Sequence, residues 1–481
     1  MQLDWLHFGT LVACAHVLGI FAACHAILYT RTSQGAIAWA VSLIAMPHLT
    51  LVPYLFLGRS RFKGYVDARR VEYEAIQDLR LDLVNNIHQK SDLIDNDPVN
   101  QLGIQTITAL SLLARMSLST GNHVRTLVNG EATFSAIFDA INAARYYVLI
   151  QFFIIRADIV GDMLRDILIA KAAQGVRVHL LYDSVGSIDL PVAYLSALRA
   201  GSVEVHAFTT NRRFIHRFQL NFRNHRKIVV VDGECAFIGG HNIGIEYLGG
   251  KPSLSPWRDT HIEVRGPVVK QIEFVFVEDW FWATQRLPYT TSSIRPCDGN
   301  MHCQVIASGP ADRQETCLLF FVASIHAARE RIWITSPYLI PDEAVFSALR
   351  LAVMRGVDVR VLIPSRRDHI VVFEASRLYA HDMVHAGIQI FRYRPGFLHQ
   401  KVILIDSVAA AVGSANLDNR SFRLNFEIML LIVNSTFALE VSAMLEVDFA
   451  LSDPVQANEY QQTPAWRRMA MHVARLFSPI L

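Results

Sequence analysis

Two long apolar stretches open the chain. No Asp, Glu, Lys or Arg occurs in residues 6–29, and none occurs in residues 35–58. A helix needs about 20 consecutive apolar residues to cross a bilayer core. The pattern therefore predicts two transmembrane helices within residues 1–58, paired as a hairpin. A signal peptide is the alternative for the first stretch, but Asp4 stands where a signal peptide carries basic residues.

Basic residues beside these stretches predict the orientation of the chain. Only Arg31 lies in the link between them, whereas five basic residues follow the second stretch: Arg59, Arg61, Lys63, Arg69 and Arg70. Basic flanks remain on the cytoplasmic side of a membrane. We therefore expect both ends of the hairpin, and the large domain after it, to lie on the cytoplasmic side.

The remaining chain shows helical spacing followed by alternating helix and strand patterns. Residues 59–124 predict a helical connector, with a break near Asp97 and Pro98. Further on, the segments AAQGVRVHLLY (172–182) and VMRGVDVRVLI (353–363) each show a helix end, a glycine and a buried strand. Helices that alternate with strands indicate the α/β class.

An internal repeat divides the region after the connector. Six positions of one segment recur at a constant offset of 174, since 399 − 225 and 416 − 242 are equal. The matched residues are His225, Lys227, Asp232, Gly239, Gly240 and Asn242, then His399, Lys401, Asp406, Gly413, Ser414 and Asn416. A fixed offset indicates duplicated structural units. We predict a first half at 125–300, a second half at 301–463 and an amphipathic tail at 464–481.

Strand geometry assigns directions to the repeated side chains. Residues two apart on a strand share a face, so each His is expected beside its Lys. Asp232 and Asp406 lie seven positions from their histidines, an odd separation that turns them to the opposite face. That geometry favours bracing of a turn or an ion pair over contact with a substrate.

Two imidazoles with two lysines provide what phosphoryl transfer requires. One imidazole can act as nucleophile and the other as acid and then base, while the lysines hold the phosphoryl oxygens. The further phosphate-binding candidates are Asn242, Ser414 and Asn416. No metal or cofactor is expected, and the helical pair His381 and His385 lacks a further ligand nearby beyond Asp382.

Composition limits the classes of partner that the chain is expected to bind. The chain is 52% hydrophobic with a formal net charge of +2, which gives no broad basic field for nucleic acid. A basic, aromatic segment at 212–226 is favoured to bind anionic lipid rather than a nucleic-acid backbone. The tail 464–481 has the spacing of an interfacial helix or of a helix that packs on the domain. Six cysteines without a C-x-x-C pair are interpreted as reduced thiols.

The twice-repeated pattern H-x-K-x4-D-x6-G-(G/S)-x-N resembles the phospholipase D superfamily, and within it the bacterial cardiolipin synthases. Other shared features are Ala38-Trp39, Pro47, Gly121-Asn122, the segment 257–260 and Ser336-Pro337-Tyr338. The resemblance implies two α/β/α halves packed face to face around one site. It also implies a metal-independent phosphatidyltransferase of the bacterial inner membrane, which converts two phosphatidylglycerols into cardiolipin and glycerol.

The resemblance further implies roles for individual residues. The catalytic set is His225, Lys227, Asp232, His399, Lys401 and Asp406. His225 is expected to be the nucleophile and His399 the general acid and base, while Glu427 and Asp259 orient the rings. A hydrolase that opens the same intermediate with water, a nuclease-like phosphodiesterase and a non-catalytic scaffold are the alternatives.

Overall fold

The computed structural model describes residues 2–30, 33–58, 98–209, 222–290, 297–312 and 314–481. Most of the predicted connector, 59–97, lies outside them. The described helices are α1 (Gln2–Tyr29), α2 (Ser33–Ala45), α3 (Pro47–Leu57), α4 (Pro98–Leu102), α5 (Ile104–Ala114), α6 (Asn129–Ala143), α7 (Ile159–Ala173), α8 (Val192–Ala200), α9 (Val269–Thr284), α10 (Thr316–Ala327), α11 (Glu343–Met354), α12 (Ile370–His385), α13 (Asn419–Arg423), α14 (Ser435–Ala450), α15 (Glu459–Gln462) and α16 (Ala465–Arg475).

The strands divide between the two halves. Those of the first half are β1 (Ser119–Val128), β2 (Tyr147–Phe152), β3 (Arg177–Asp183), β4 (Glu204–Phe208), β5 (Arg223–Asn224), β6 (Ile228–Val231), β7 (Cys235–Gly239), β8 (Trp257–Arg258) and β9 (Thr260–Arg265). Those of the second are β10 (Met301–Ser308), β11 (Arg331–Thr335), β12 (Leu339–Ile340), β13 (Asp358–Pro364), β14 (Gln389–Tyr393), β15 (Phe397–Leu398), β16 (Val402–Ile405), β17 (Ala409–Gly413), β18 (Leu417–Asp418), β19 (Asn425–Val433) and β20 (Ser452–Pro454).

The duplication is visible in the strand order. The first half runs β1-β9-β7-β6-β2-β3-β4, and the second runs β10-β19-β17-β16-β11-β13-β14. An antiparallel pair of β1 with β10 joins them into one 16-stranded sheet. Strands β7 and β9 also approach β17 and β19, so the sheets meet across the middle of the molecule. The predicted α/β fold with two related halves is confirmed.

Local sequence explains why the repeated units form. Every residue of β2 is buried, as a parallel strand covered on both faces requires. Gly175 and Gly356 occupy equivalent turns with φ of +87° and +83°, between the end of a helix and the next buried strand. Only glycine adopts that conformation without strain. These two turns are those predicted from the glycines of the repeat.

The boundary between connector and first half needs correction. The sequence pattern places residues 119–124 in a helical connector, but they belong to β1, which begins at Ser119. This strand pairs with β9 of its own half and with β10 of the other. The first half therefore begins at residue 119 rather than 125.

The second apolar stretch is not one straight helix. It forms α2 and α3, which are interrupted at Met46 before Pro47. The rings of Trp39 and Tyr54 lie 5.2 Å apart, whereas a straight helix would separate these positions by about 22 Å. Helix α3 therefore folds back along α2. At 13 and 11 residues these helices are about 20 Å and 16 Å long, shorter than a bilayer core of about 30 Å.

Helix α1 packs against this folded pair. A Cβ atom at Gly19 would lie 2.4 Å from the carbonyl oxygen of Leu43, so glycine permits the close approach. A hydrogen bond of 2.7 Å joins Nδ1 of His25 to the Tyr54 hydroxyl. Among the described residues, α1 alone is long and apolar enough to cross a membrane. The predicted second transmembrane helix is therefore not one continuous helix, and whether this stretch crosses the membrane stays a prediction.

The tail packs on the domain, one of its two predicted alternatives, and its contact with a membrane stays a prediction. Helix α16 packs on α12 through two ion pairs, Arg467 with Glu374 at 2.7 Å and Arg475 with Asp382 at 2.6 Å. Its other face is apolar and exposed, and the most exposed side chains there are Trp466, Met469 and Leu476. One face therefore contacts the domain while the other presents apolar surface outward.

Candidate active site

Two short strand pairs bring the repeated motifs together across the boundary of the halves. Strand β5 of the first half runs parallel to the start of β19, and β15 of the second half runs parallel to β8. The amide of His225 donates to the carbonyl of Phe426 at 2.9 Å, and the amide of His399 donates to that of Arg258 at 2.7 Å. Each motif histidine is therefore held on a strand of the opposite half.

This crossing gives each histidine a carboxylate from the other half. Nδ1 of His225 lies 3.2 Å from Oε1 of Glu427, and Nδ1 of His399 lies 2.7 Å from Oδ2 of Asp259. Both carboxylates are fully buried, whereas the imidazoles retain about a sixth of their exposure. A carboxylate on Nδ1 leaves Nε2 free for a substrate. The structure thus brings together the four residues that the sequence proposed as two rings and their orienting groups.

The side chains of Asp259 and Glu427 differ in length, and the residue behind each carboxylate compensates for that difference. A Cβ atom at Gly240 would lie 2.0 Å from Oδ1 of Asp259, so that carboxylate occupies the space of a missing side chain. In the other half the Ser414 hydroxyl donates to Oε2 of Glu427 at 2.6 Å. A serine has a single hydroxyl proton. The Ser414 hydroxyl therefore positions Glu427, and the predicted part of Ser414 in phosphate binding stays a prediction.

The two lysines lie buried beside their histidines. Nζ of Lys227 donates to the carbonyl of His225 at 2.5 Å, and Nζ of Lys401 donates to that of His399. Burial lowers the pKa of Lys227 to about 8 and that of Lys401 to about 7. Asp259 and Glu427 oppose this effect at both lysines, so all four charges share one site.

Burial also determines the charge of the rings and carboxylates. It lowers the pKa of His225, and together with Lys401 it lowers the pKa of His399 to about 4. Lys227, although it belongs to the other half, also lowers the pKa of His399. Burial alone would raise the pKa of Glu427 and Asp259, but the facing imidazoles hold both pKa values below the usual range. The resting site therefore combines neutral rings with ionised carboxylates.

The aspartates of the two motifs do not face the histidines' site. The carboxylate of Asp232 accepts the backbone N–H groups of residues 145, 146 and 147 at 2.7–2.8 Å. That of Asp406 accepts those of residues 329, 330 and 331 at 2.8–3.2 Å. These bonds hold the starts of β2 and β11, as the strand geometry indicated. The motif-based inclusion of both aspartates among the catalytic residues is therefore corrected to a structural role.

The motif asparagines lie buried at the site. Oδ1 of Asn242 accepts the amide of Ile154 at 3.1 Å, and its Nδ2 donates to the Tyr247 hydroxyl at 2.9 Å. An amide nitrogen carries two protons, so one donor of Asn242 remains. Oδ1 of Asn416 has no hydrogen-bond partner within the described part of the chain. Asn242 thus keeps a donor for a ligand, whereas the unpartnered atom of Asn416 is an acceptor, and the phosphate contacts of both remain a prediction.

Different neighbours surround the two rings. His399 packs against Trp257, with ring centroids 5.0 Å apart, and also faces Phe397. His225 packs against Phe153 at 4.2 Å, and Nδ2 of Asn425 lies 3.1 Å from its Nδ1. Sequence reasoning gave none of these four residues a role at the site. The only available signal was that Trp257 and Asn425 stand two positions before the orienting carboxylates.

The basic, aromatic segment is only partly described, since residues 210–221 lie outside the described ranges. Arg226 is directed inward, where its guanidinium pairs with Asp279 at 2.8 Å and donates to the carbonyls of Glu427 and Ser308. Its predicted contact with lipid is therefore wrong. No group of three or more potential metal ligands occurs among the described residues.

Comparison with known proteins agrees with this architecture. A family model described as "Cardiolipin synthase, PLD-like domain" matches residues 137–280 and 321–449. A protein named cardiolipin synthase A from Pseudomonas fluorescens is 55% identical over 98% of each chain. Its namesake from Pseudomonas aeruginosa is 54% identical over 99% of this chain and 96% of its own.

A solved structure shares the fold. The crystal structure of phosphatidylserine synthase from Haemophilus influenzae matches with a TM-score of 0.58 and 14% sequence identity, over 78% of this chain and 100% of that one. Such low identity shows the fold alone. The family model covers more than half of the chain, and the Pseudomonas relatives cover nearly all of it. This chain belongs to the family of cardiolipin synthases with phospholipase D-like domains.

Proposed function

We propose that the enzyme transfers a phosphatidyl group from one phosphatidylglycerol to another, which gives cardiolipin and glycerol through a phosphatidyl-histidine. The observation that carries this proposal is the pair of neutral imidazoles, each held by a buried carboxylate of the other half, beside two buried lysines. Relatives 54–55% identical along nearly the whole chain are named cardiolipin synthase A, which supports the same reaction.

The first step forms the covalent intermediate. Nε2 of His225 attacks the phosphorus of the donor lipid, the bond from phosphorus to the glycerol oxygen breaks, and His399 gives its proton to that oxygen. His399 must first take up a proton, and the short contact with Asp259 stabilises the resulting imidazolium. Lys227 and Lys401 balance the charge on the phosphoryl oxygens.

The second step reverses these roles. A head-group hydroxyl of the acceptor phosphatidylglycerol attacks the phosphorus, the P–N bond to His225 breaks, and His399 takes the hydroxyl proton. Both imidazoles return to their starting states. The geometry favours His225 as nucleophile because its carboxylate lies farther away, 3.2 Å against 2.7 Å, and therefore stabilises a cation less.

The test uses the purified full chain in vesicles of labelled phosphatidylglycerol. We expect cardiolipin and glycerol in equal amounts, and loss of both products in His225→Ala and His399→Ala. Phosphatidic acid as the main product would show hydrolysis and overturn transfer. Acid quenching of the wild-type reaction, followed by peptide mapping, should place the lipid-phosphate adduct on His225. An adduct on His399 would reverse the two roles.

We further propose an inner-membrane location with the catalytic halves on the cytoplasmic side. Helix α1 supplies one transmembrane span, while α2 and α3 form a re-entrant pair that enters and leaves on one side. The basic residues after position 58 support the cytoplasmic side for the rest of the chain. The exposed apolar face of α16 offers a second contact with the anionic bilayer.

A further inference from the structure

Two arginines lie near His225 but outside the set of residues that the two motifs share. Arg223 stands on β5, two residues before the histidine, and pairs with Asn425 of the other half. Residues two apart on an extended strand point to the same side. The guanidinium of Arg223 is therefore directed to the same side of the strand as the ring of His225.

Arg420 approaches the same region from the second half. It belongs to α13, four residues after the motif residue Asn416, and its Nη1 donates to the carbonyl of Ile480 at 3.1 Å. Burial and the charge of Arg420 lower the pKa of Arg223 to about 10. The charge of Arg420 also contributes to the lowered pKa of His225. The two guanidinium groups and the ring therefore lie within reach of one another's charge.

The nearby carboxylates are already bound by backbone groups. Asp183 accepts the amides of Val185, Gly186 and Asn224 at 2.8–2.9 Å. Asp418 caps α13 by accepting the amide of Ser421. Within the described part of the chain, Arg223 forms no ion pair, and its one hydrogen bond goes to the carbonyl of its neighbour Phe222. Most of its five N–H donors are available to a ligand.

These arginines have no basic counterparts beside the other histidine. The offset of 174 relates Arg223 to Phe397 and Arg420 to Glu246. Phe397 packs with Trp257 against His399, so that side of the site is aromatic rather than basic. The two lysines are symmetric and suffice for the phosphate that both rings share. The arginine pair therefore provides positive charge for an anionic group that binds only on the His225 side of the site.

We propose that Arg223 and Arg420 form a second anion subsite, which binds the phosphodiester of the acceptor lipid while its hydroxyl reaches the phosphatidyl-histidine. This inference rests on the proposed function. Cardiolipin contains two phosphates joined by a glycerol, and the motif residues hold only one of them. Arginine binds phosphate through two parallel N–H bonds, which fixes the orientation of the lipid as well as its position.

The test compares two reactions that start from the same intermediate. Cardiolipin synthesis uses an anionic acceptor, whereas exchange of labelled glycerol into phosphatidylglycerol uses a neutral one. In Arg223→Gln we expect cardiolipin synthesis to fall about tenfold or more, because a charge-assisted hydrogen bond is lost, while glycerol exchange stays within about twofold. In Arg420→Gln, which also removes a charge that acts on His225, synthesis should still fall more than exchange, and Arg223→Lys should recover part of the lost synthesis.

The matched control is Arg350→Gln, an exposed position on α11, which should change neither reaction. A parallel fall of synthesis and exchange in Arg223→Gln would assign that arginine to the shared phosphate or to folding, and would overturn the subsite. Unchanged synthesis would overturn it as well. If the wild-type chain performed neither reaction, the proposed function itself would fail, which separates the two outcomes.

Discussion

At the scale of single residues, the two active-site carboxylates do equivalent work with side chains of different length. Asp259 reaches His399 only because Gly240 has no side chain in the space that the carboxylate occupies. The longer Glu427 has the Ser414 hydroxyl behind it. The glycine and the serine occupy matching positions of the repeat. Each half therefore carries a matched pair, in which the motif residue fits the length of the carboxylate.

Gly240→Ala tests this fit. The new Cβ atom would lie 2.0 Å from Oδ1 of Asp259, so the carboxylate must move and His399 loses its orientation. We expect kcat for cardiolipin formation to fall about 100-fold or more. Ser414→Ala is the control, because it removes one hydrogen bond to Glu427 without displacing it and should cost less activity. An equal loss in both variants would contradict the argument.

The lysines predict a pH dependence of anion binding. Their pKa values lie at about 8 for Lys227 and about 7 for Lys401, well below the usual 10.5, so they lose their charge as pH rises through this range. Only the protonated form attracts an anion. Affinity for tungstate, a dianion throughout, should fall about tenfold or more from about pH 6.5 to about pH 9.

Isothermal titration calorimetry of tungstate binding to the purified chain measures that affinity without requiring catalysis. Lys401→Gln should bind tungstate weakly at every pH and show a shallower dependence, because one titrating charge has been removed. A wild-type affinity that stayed constant across the range would show that the lysines do not titrate there.

Much of the site was visible in the sequence at this scale. The constant offset of the repeat located His225, Lys227, His399 and Lys401. The odd separation between each histidine and its aspartate predicted that the aspartates face the opposite side of the strand. The hydrogen bond from Ser414 to Glu427 and the positions of Trp257 and Asn425 beside the rings were not predictable. Those depend on which strand of one half lies beside which strand of the other, and no local pattern encodes that long-range pairing.

At the scale of elements, buried charges fasten the two halves together. Nε and Nη2 of Arg258, on β8, donate to the carboxylate of Asp448, on α14, at 2.8 Å, and Gln400 donates to the same carboxylate at 2.7 Å. Arg258 belongs to the first half and the other two to the second. The pair therefore holds β8 against β15 beneath His399.

Asp448→Ala should destabilise the full chain by about 3–5 kcal/mol, because it leaves the Arg258 charge buried without a partner. Chemical denaturation of the purified chain in detergent measures the loss. Asp166→Ala, which removes the exposed partner of Arg165, is the control and should cost no more than about 1 kcal/mol. Equal stabilities of the two variants would show that the buried pair does not support the interface.

Two element predictions failed for physical reasons. Hydropathy records composition but not direction, so a folded-back pair of helices has the same profile as one span. The signal that was available is Pro47, since a residue before proline is forced out of helical geometry. Strand β1 was missed because most of its residues are polar, and its partner β10 lies far along the chain.

At the scale of the whole molecule, the shape of the N-terminal helices determines the topology. In the arrangement that we propose, α1 crosses once and the pair after it returns to its side of entry, which would place the N-terminus and the catalytic halves on opposite sides. A hairpin of two spans would place them on the same side. The two arrangements therefore differ in a property that labelling can measure.

Cysteine labelling in spheroplasts makes that distinction. Gln2→Cys should react with a membrane-impermeant maleimide before lysis, because the proposed arrangement places the N-terminus on the outer side. Ser60→Cys, beside the basic residues, should react only after lysis. If Gln2→Cys also required lysis, the chain would cross the membrane twice and the re-entrant arrangement would be wrong.

The exchange of β5 and β15 between the halves has a wider consequence. In an assembly of identical subunits, every mutation appears at both symmetry-related places at once. Here the related places are encoded separately, so Arg223 was free to differ from Phe397 and Gly240 from Ser414. A continuous polypeptide can therefore keep a twofold arrangement of histidines and lysines around the reacting phosphorus. The residues around each histidine can still differ, so that two molecules of the same lipid can bind in different ways, one as donor and one as acceptor.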